Sequence, residues 1–123
     1  MLSNQPFVGF VLITDAARAT AFYRDTLGLP VVHEDAFAVV LRVAGASLRL
    51  ARVDAVPEPT GTNAGWQVDD IAGVARALSA AGVVFERFDG MEQDDLGIWA
   101  SPSGARVAWF KDPEGNVLSL TQP

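Results

Sequence analysis

The 123-residue chain has no cysteine, and His33 is its only histidine. The missing thiols exclude disulfides, thiolate metal sites and cysteine nucleophiles. Positive charge is scarce as well: nine Lys and Arg stand against fifteen Asp and Glu, a net charge of -6. A surface this acidic repels phosphate groups, so neither nucleic acid nor an anionic membrane is an expected partner. No apolar run is long enough to cross a bilayer. The stretch from Met1 to Pro6 lacks the basic start of a signal peptide. The expectation is a soluble cytoplasmic protein.

What is present suits one domain, residues 1–123. Half of the chain is apolar, enough for a core without staples. Phe7 to Ile13 reads as a buried strand, apolar on both faces. Thr14-Asp15 offers a helix cap, Ala16 to Leu27 a helix, and Gly28 its stop. Leu29 to Val32, Ala36 to Val43 and Ser47 to Val53 read as strands, the last two joined by a hairpin at Ala44-Gly45-Ala46. Pro57, Pro59 and Gly61 make a linker-like stretch.

The order then restarts. Gly65 to Val68 reads as a strand, and Asp69 or Asp70 as a cap. Ile71, Val74, Ala75 and Leu78 mark one face of a helix that Gly82 ends. Val83 to Phe85, Gly97 to Ala100, Ala105 to Phe110 and Val117 to Thr121 complete the strands. The capping aspartates recur at an offset of 55 residues, the stopping glycines at 54, and Gly45 to Leu50 matches Gly115 to Leu120 at 70. These matches predict an α+β fold of two tandem βαβββ modules forming a cupped mixed sheet around a cleft. Module one covers about residues 5–54, the linker about 55–62, and module two about 63–122.

Ala21-Phe22-Tyr23-Arg24-Asp25-Thr26-Leu27-Gly28-Leu29 resembles one signature of the vicinal-oxygen-chelate superfamily, the glyoxalase/bleomycin-resistance/dioxygenase-like domains. Lys111-Asp112-Pro113-Glu114-Gly115-Asn116 resembles a second. Each also has a mechanical reading: Phe22 and Leu27 pack a helix on a sheet, and Asp112 to Gly115 is turn chemistry. The resemblance implies four metal-ligand positions, which fall on Val8, Arg49, Asn63 and Ser119. None of these is an imidazole or carboxylate, and Arg49 is a fixed cation. The chain is therefore expected to need no metal or other cofactor.

By the same resemblance these positions face the cleft, and strand alternation adds their second neighbours. The candidate ligand-binding residues are Phe10, Arg49, Asn63, Gln67, Trp99, Trp109 and Ser119, a mostly apolar set with a few polar groups. Arg49 either clamps an anion, pairs internally with Glu86 or Asp112, or snorkels out of the cleft mouth into water. Trp99 and Trp109 either stack on a planar ligand or fill the core. His33 sits beside Glu34 and Asp35, but successive strand residues face opposite ways, so an exposed edge is expected. The acidic loop Asp89 to Asp95 reads as solvated surface.

The expected function is metal-independent binding of a small anionic or aromatic compound, as in bleomycin resistance, with no catalytic residues assigned. The alternative is a lyase or oxygenase of the same fold with an unrecognised site. A homodimer is expected from the exposed sheet edges of such domains.

Overall fold

The computed structural model describes residues 1–123, in two compact units, Met1–Glu58 and Pro59–Pro123. In the first unit, β1 (Val8–Ile13) runs into α1 (Ala16–Thr20), and β2 (Val31–Glu34), β3 (Ala38–Val43) and β4 (Ala46–Arg52) follow. The sheet order is β1-β4-β3-β2, with β1 parallel to β4 and the other pairs antiparallel. Asp15 caps α1 by accepting the backbone N–H of Arg18 at 3.0 Å. Val11, Ile13, Val39, Leu41, Leu48 and Leu50 alternate onto one sheet face and are buried together with Ala19 and Tyr23 of the helix. Burying one such aliphatic side chain contributes about 1.5–3 kcal/mol before chain entropy is counted. The other face of β1 is not buried as the sequence suggested: Val8 and Phe10 are exposed, Phe10 by 63%.

The helix expected to run from Ala16 to Leu27 changes pitch midway. Ala21–Thr26 is π-helical, and the N–H of Leu27 donates to the carbonyl of Phe22, five residues back, at 2.9 Å. The cause lies in the repeat itself. Asp15 to Gly28 is one residue longer than Asp70 to Gly82, and a wider turn absorbs the extra residue while both ends keep their places. Gly28 and Gly82, with φ of 79° and 98°, both take the left-handed conformation that ends a helix.

The second unit contains β5 (Ala64–Gln67), α2 (Ile71–Ala80), β6 (Trp99–Ala100), β7 (Arg106–Lys111) and β8 (Val117–Gln122), in sheet order β5-β8-β7-β6. Asp70, not Asp69, is the cap; it accepts the N–H of Gly73. The strand register repeats that of the first unit. Phe10 lies opposite Arg49, and Gly65 opposite Ser119, at the same offsets of 55 and 70 residues. Both units are therefore βαβββ, and the fold is α+β.

Val83 to Phe85 does not form a strand. It makes one bridge, Phe85 to Phe110, equivalent by offset to Val31 with Leu41 in the first unit. Residues 87–98 then leave the ladder to β7, apart from a single bridge of Gln93 to Trp99, and pairing with β7 resumes only at Trp99. This loop is cross-braced. The side-chain amide of Gln93 donates to the carbonyls of Glu86 and Gly97 at 2.8 and 2.9 Å, and its oxygen accepts the N–H of Phe88. Asp94 accepts the N–H groups of Leu96 and Ile98. No helix is long and apolar enough to cross a membrane.

Candidate functional site

On the first sheet, the face opposite α1 carries a row of four residues in register: Phe10 of β1, Arg49 of β4, Val40 of β3 and His33 of β2. Arg49 is half-buried, and its guanidinium forms no hydrogen bond or ion pair. Neither internal partner considered from the sequence reaches it. Glu86 takes the ammonium of Lys111 at 3.4 Å. Asp112 is buried and accepts the N–H groups of Glu114 and Asn116 and the side-chain amide of Asn116. Arg49 thus presents five donors with no protein acceptor.

His33 is exposed, as expected, and its Nε2 lies 3.0 Å from Asp35 Oδ2. The other oxygen of Asp35 accepts the N–H groups of Phe37 and Ala38. These backbone N–H groups, Phe37 first, together with His33 hold the Asp35 carboxyl below the usual carboxylate range. Glu34 points to the helix side and pairs with Arg52 at 3.0 Å. His33 and Glu34 therefore do not share a face. A register shift between Val31 and His33 sets His33 onto the row of Arg49, and no local sequence pattern announces this shift.

The second sheet has a different face opposite its helix. Gln67 lies across from Thr121, Ser119 across from Gly65 and Trp109, and Trp99 across from Val107. The Trp99 and Trp109 rings are 6.1 Å apart and tilted by 35°. Phe88 meets Trp109 edge-on at 5.4 Å. All three rings keep part of their surface exposed, so they form a shelf on this face in addition to packing with one another. Ser119 Oγ occupies the space that a Cβ at position 65 would need, so Gly65 is what lets the two strands approach there. Asn63 acts structurally, because its side-chain oxygen accepts the N–H of Val117 at 2.9 Å and continues the β5–β8 pairing by one step.

Phe88 and Gln93 escaped the sequence reading. Phe88 adjoins an acidic stretch and reads as loop. The role of Gln93 depends on three backbone groups whose approach no local pattern announces.

The four metal-ligand positions do not fit a divalent ion. Val8 has no donor atom, Arg49 is cationic, the oxygen of Asn63 is engaged, and Ser119 alone offers a neutral hydroxyl. Elsewhere too, no three His, Cys, Asp or Glu side chains gather in a way that could hold a metal. A hollow of about 370 Å³ is lined by Ser79, Val83, Val84, Phe85, Arg87, Asp95 and Leu96. The guanidinium of Arg87 there donates to the carbonyls of Gln93 and Asp95, so the hollow offers no free cation.

The family model of the Glyoxalase/Bleomycin resistance protein/Dioxygenase superfamily matches residues 7–120. Solved structures share the fold. A member of that superfamily from Sphaerobacter thermophilus is 22% identical, with a TM-score of 0.75 over 100% of both chains. Lactoylglutathione lyase from Agrobacterium tumefaciens is 22% identical, with a TM-score of 0.72 over 97% of this chain and 93% of that one. A glyoxalase family protein from Enterococcus faecalis is 20% identical, with a TM-score of 0.75 over 98% and 99%. Among curated proteins none matches.

Proposed function

Since the chain belongs to the Glyoxalase/Bleomycin resistance protein/Dioxygenase superfamily but carries no set of metal donors, we propose that it binds a small anionic or aromatic compound without metal. The observation that carries this reading is Arg49. It stands at a metal-ligand position, inverts the charge expected there, and has no partner within the chain. A half-buried guanidinium without an acceptor is poised for an anion from outside. In the second unit, taken by itself, the ring shelf of Trp99, Trp109 and Phe88 offers a planar compound a stacking surface. Acid–base catalysis has less support, because Glu86 and Asp112 are committed to Lys111 and to the Asn116 turn. A cytoplasmic homodimer belongs to the same reading.

Titration with benzoate, a simple aromatic anion, tests it. Arg49→Ala weakens benzoate by about tenfold or more, the effect of losing a charge-assisted contact. The same variant changes stability by less than about 0.5 kcal/mol, because no internal carboxylate is stranded. Benzoate bound equally well by Arg49→Ala overturns the anion role. A tight 1:1 complex with Ni, Zn, Fe or Mn overturns the metal-free reading.

A further inference from the structure

The cationic side chains of this chain are mostly neutralised in place. Arg24, Arg52 and Arg106 face Asp25, Glu34 and Asp94, Lys111 faces Glu86, and Arg87 donates to two carbonyls. Arg42, Arg49 and Arg76 have no such partner. Arg76 lies alone on the exposed surface of α2, where water suffices. Arg42 and Arg49 do not lie alone. They share the helix-free face of the β3–β4 hairpin.

The register fixes their relation. Arg42 lies directly opposite Ser47, and Arg49 is two residues beyond Ser47 on the same strand. Arg42 and Arg49 are therefore diagonal neighbours, with Cβ atoms about 7–8 Å apart, within reach of two long side chains converging on one group. Ser47 adjoins both, and its hydroxyl is also without a partner. Val8 and Phe10 of β1 flank Ser47 and Arg49 in the next strand and add an exposed apolar wall. No strand residue on this face is a carboxylate; Asp35, just after β2, is committed to His33 and two backbone N–H groups.

The second unit supplies an internal control. By the repeat, Arg42, Ser47 and Arg49 correspond to Lys111, Val117 and Ser119. There one cation remains and Glu86 neutralises it. Glu86 follows the Phe85 bridge, and the residue after the equivalent Val31 bridge is the apolar Val32. The first unit thus has one cation more and lacks the acid.

We infer that Arg42, Ser47 and Arg49 form a clamp for a doubly charged oxyanion head, a phosphate monoester or a dicarboxylate, with the ligand's apolar body against Val8 and Phe10. The inference rests on the anion role of Arg49 and adds its partner and the charge of the ligand. Two fixed cations this close repel each other, and one monoanion leaves the pair with net positive charge. A dianion neutralises both, and planar guanidinium forks bind such oxygens in pairs.

Calorimetric titration with phenyl phosphate, phenyl methyl phosphate, phthalate and benzoate tests this, using wild type, Arg42→Gln, Arg42→Lys and Arg49→Gln. At least one dianion binds about tenfold more tightly than the monoanions, and the tighter of phenyl phosphate and phthalate identifies the source of the head. Arg42→Gln weakens that dianion about tenfold and benzoate far less, and Arg42→Lys restores part of the loss. Side-chain N–H signals of both arginines shift together in NMR titration. Equal binding of dianions and monoanions, or an Arg42→Gln variant that keeps the preference, overturns the clamp while Arg49-dependent benzoate binding leaves the simpler reading intact. Benzoate binding unaffected by Arg49→Gln, or no probe bound at millimolar concentration, overturns both.

Discussion

In the first unit Arg49 stands between Phe10 and Val40; in the second the equivalent Ser119 stands between Gly65 and Trp109. The backbone registers agree, yet one face presents unneutralised cations and the other an aromatic shelf. A handful of positions separates the two: Arg42 against Lys111, Arg49 against Ser119, Val40 against Trp109, and a bulged but paired β2 against the loop 87–98. Strand pairing fixes where side chains point, while residue identity at those points sets what they can bind. The duplication repeats a scaffold without repeating a site.

The turns that close the two central hairpins also differ, and they yield the largest expected effect. From Arg42 to Ser47 the first unit turns through four residues; from Lys111 to Val117 the second uses five. The longer turn is organised by Asp112, buried with Asn116 and accepting two backbone N–H groups and a side-chain amide. Asp112→Ala leaves those donors without an acceptor and destabilises the protein by about 3 kcal/mol. Denaturant unfolding measures this. A loss under about 1 kcal/mol means that water replaces the carboxylate and that the two turns are energetically alike.

The inserted loop ranks next. Gln93→Ala removes three hydrogen bonds that hold residues 86–97 together and costs about 2 kcal/mol. Because Phe88 is one of its partners and packs on Trp109, the variant also speeds amide exchange at Phe88 and alters tryptophan fluorescence. Unchanged exchange at Phe88 means that Asp94 and Arg87 hold the loop without the Gln93 side chain.

The repeat is legible in the sequence because its markers are local. Capping aspartates, stopping glycines and a matched six-residue stretch each obey rules that operate within a few residues. Even the π-helical turn is latent there, as the change of offset from 55 to 54. The candidate site is legible only in part. Arg49 and Ser119 follow from the family resemblance, and Phe10 and Gln67 from strand alternation around such positions, but their partners do not. That Glu86 chooses Lys111, that Asn63 serves the backbone of Val117, and that His33 joins the row of Arg49 each depends on contacts between distant segments. The β2 equivalent misleads for the same reason: Val83 to Phe85 has strand composition, but only Phe85 finds a partner.

The smallest expected effect is a gain, and it concerns the shorter turn. Its two loop residues, Ala44 and Gly45, lie between the paired Val43 and Ala46. Positive φ falls on the alanine: Ala44 has φ 51°, whereas Gly45 does not take a positive φ. The freedom of Gly45 is thus not used where the backbone is strained, and Ala44 bears the steric cost of a left-handed conformation, about 1 kcal/mol. Tight hairpins favour glycine at this first loop position. Ala44→Gly removes that cost and loses part of the gain to the greater freedom of the unfolded chain. The net expectation is a stabilisation of about 0.5 kcal/mol. The same substitution at Ala46, a paired strand residue, should instead destabilise by about 0.5–1 kcal/mol. Measuring both by denaturant unfolding separates relief of strain from a general effect of glycine in the hairpin; destabilisation by Ala44→Gly means that the turn of the first unit is unstrained.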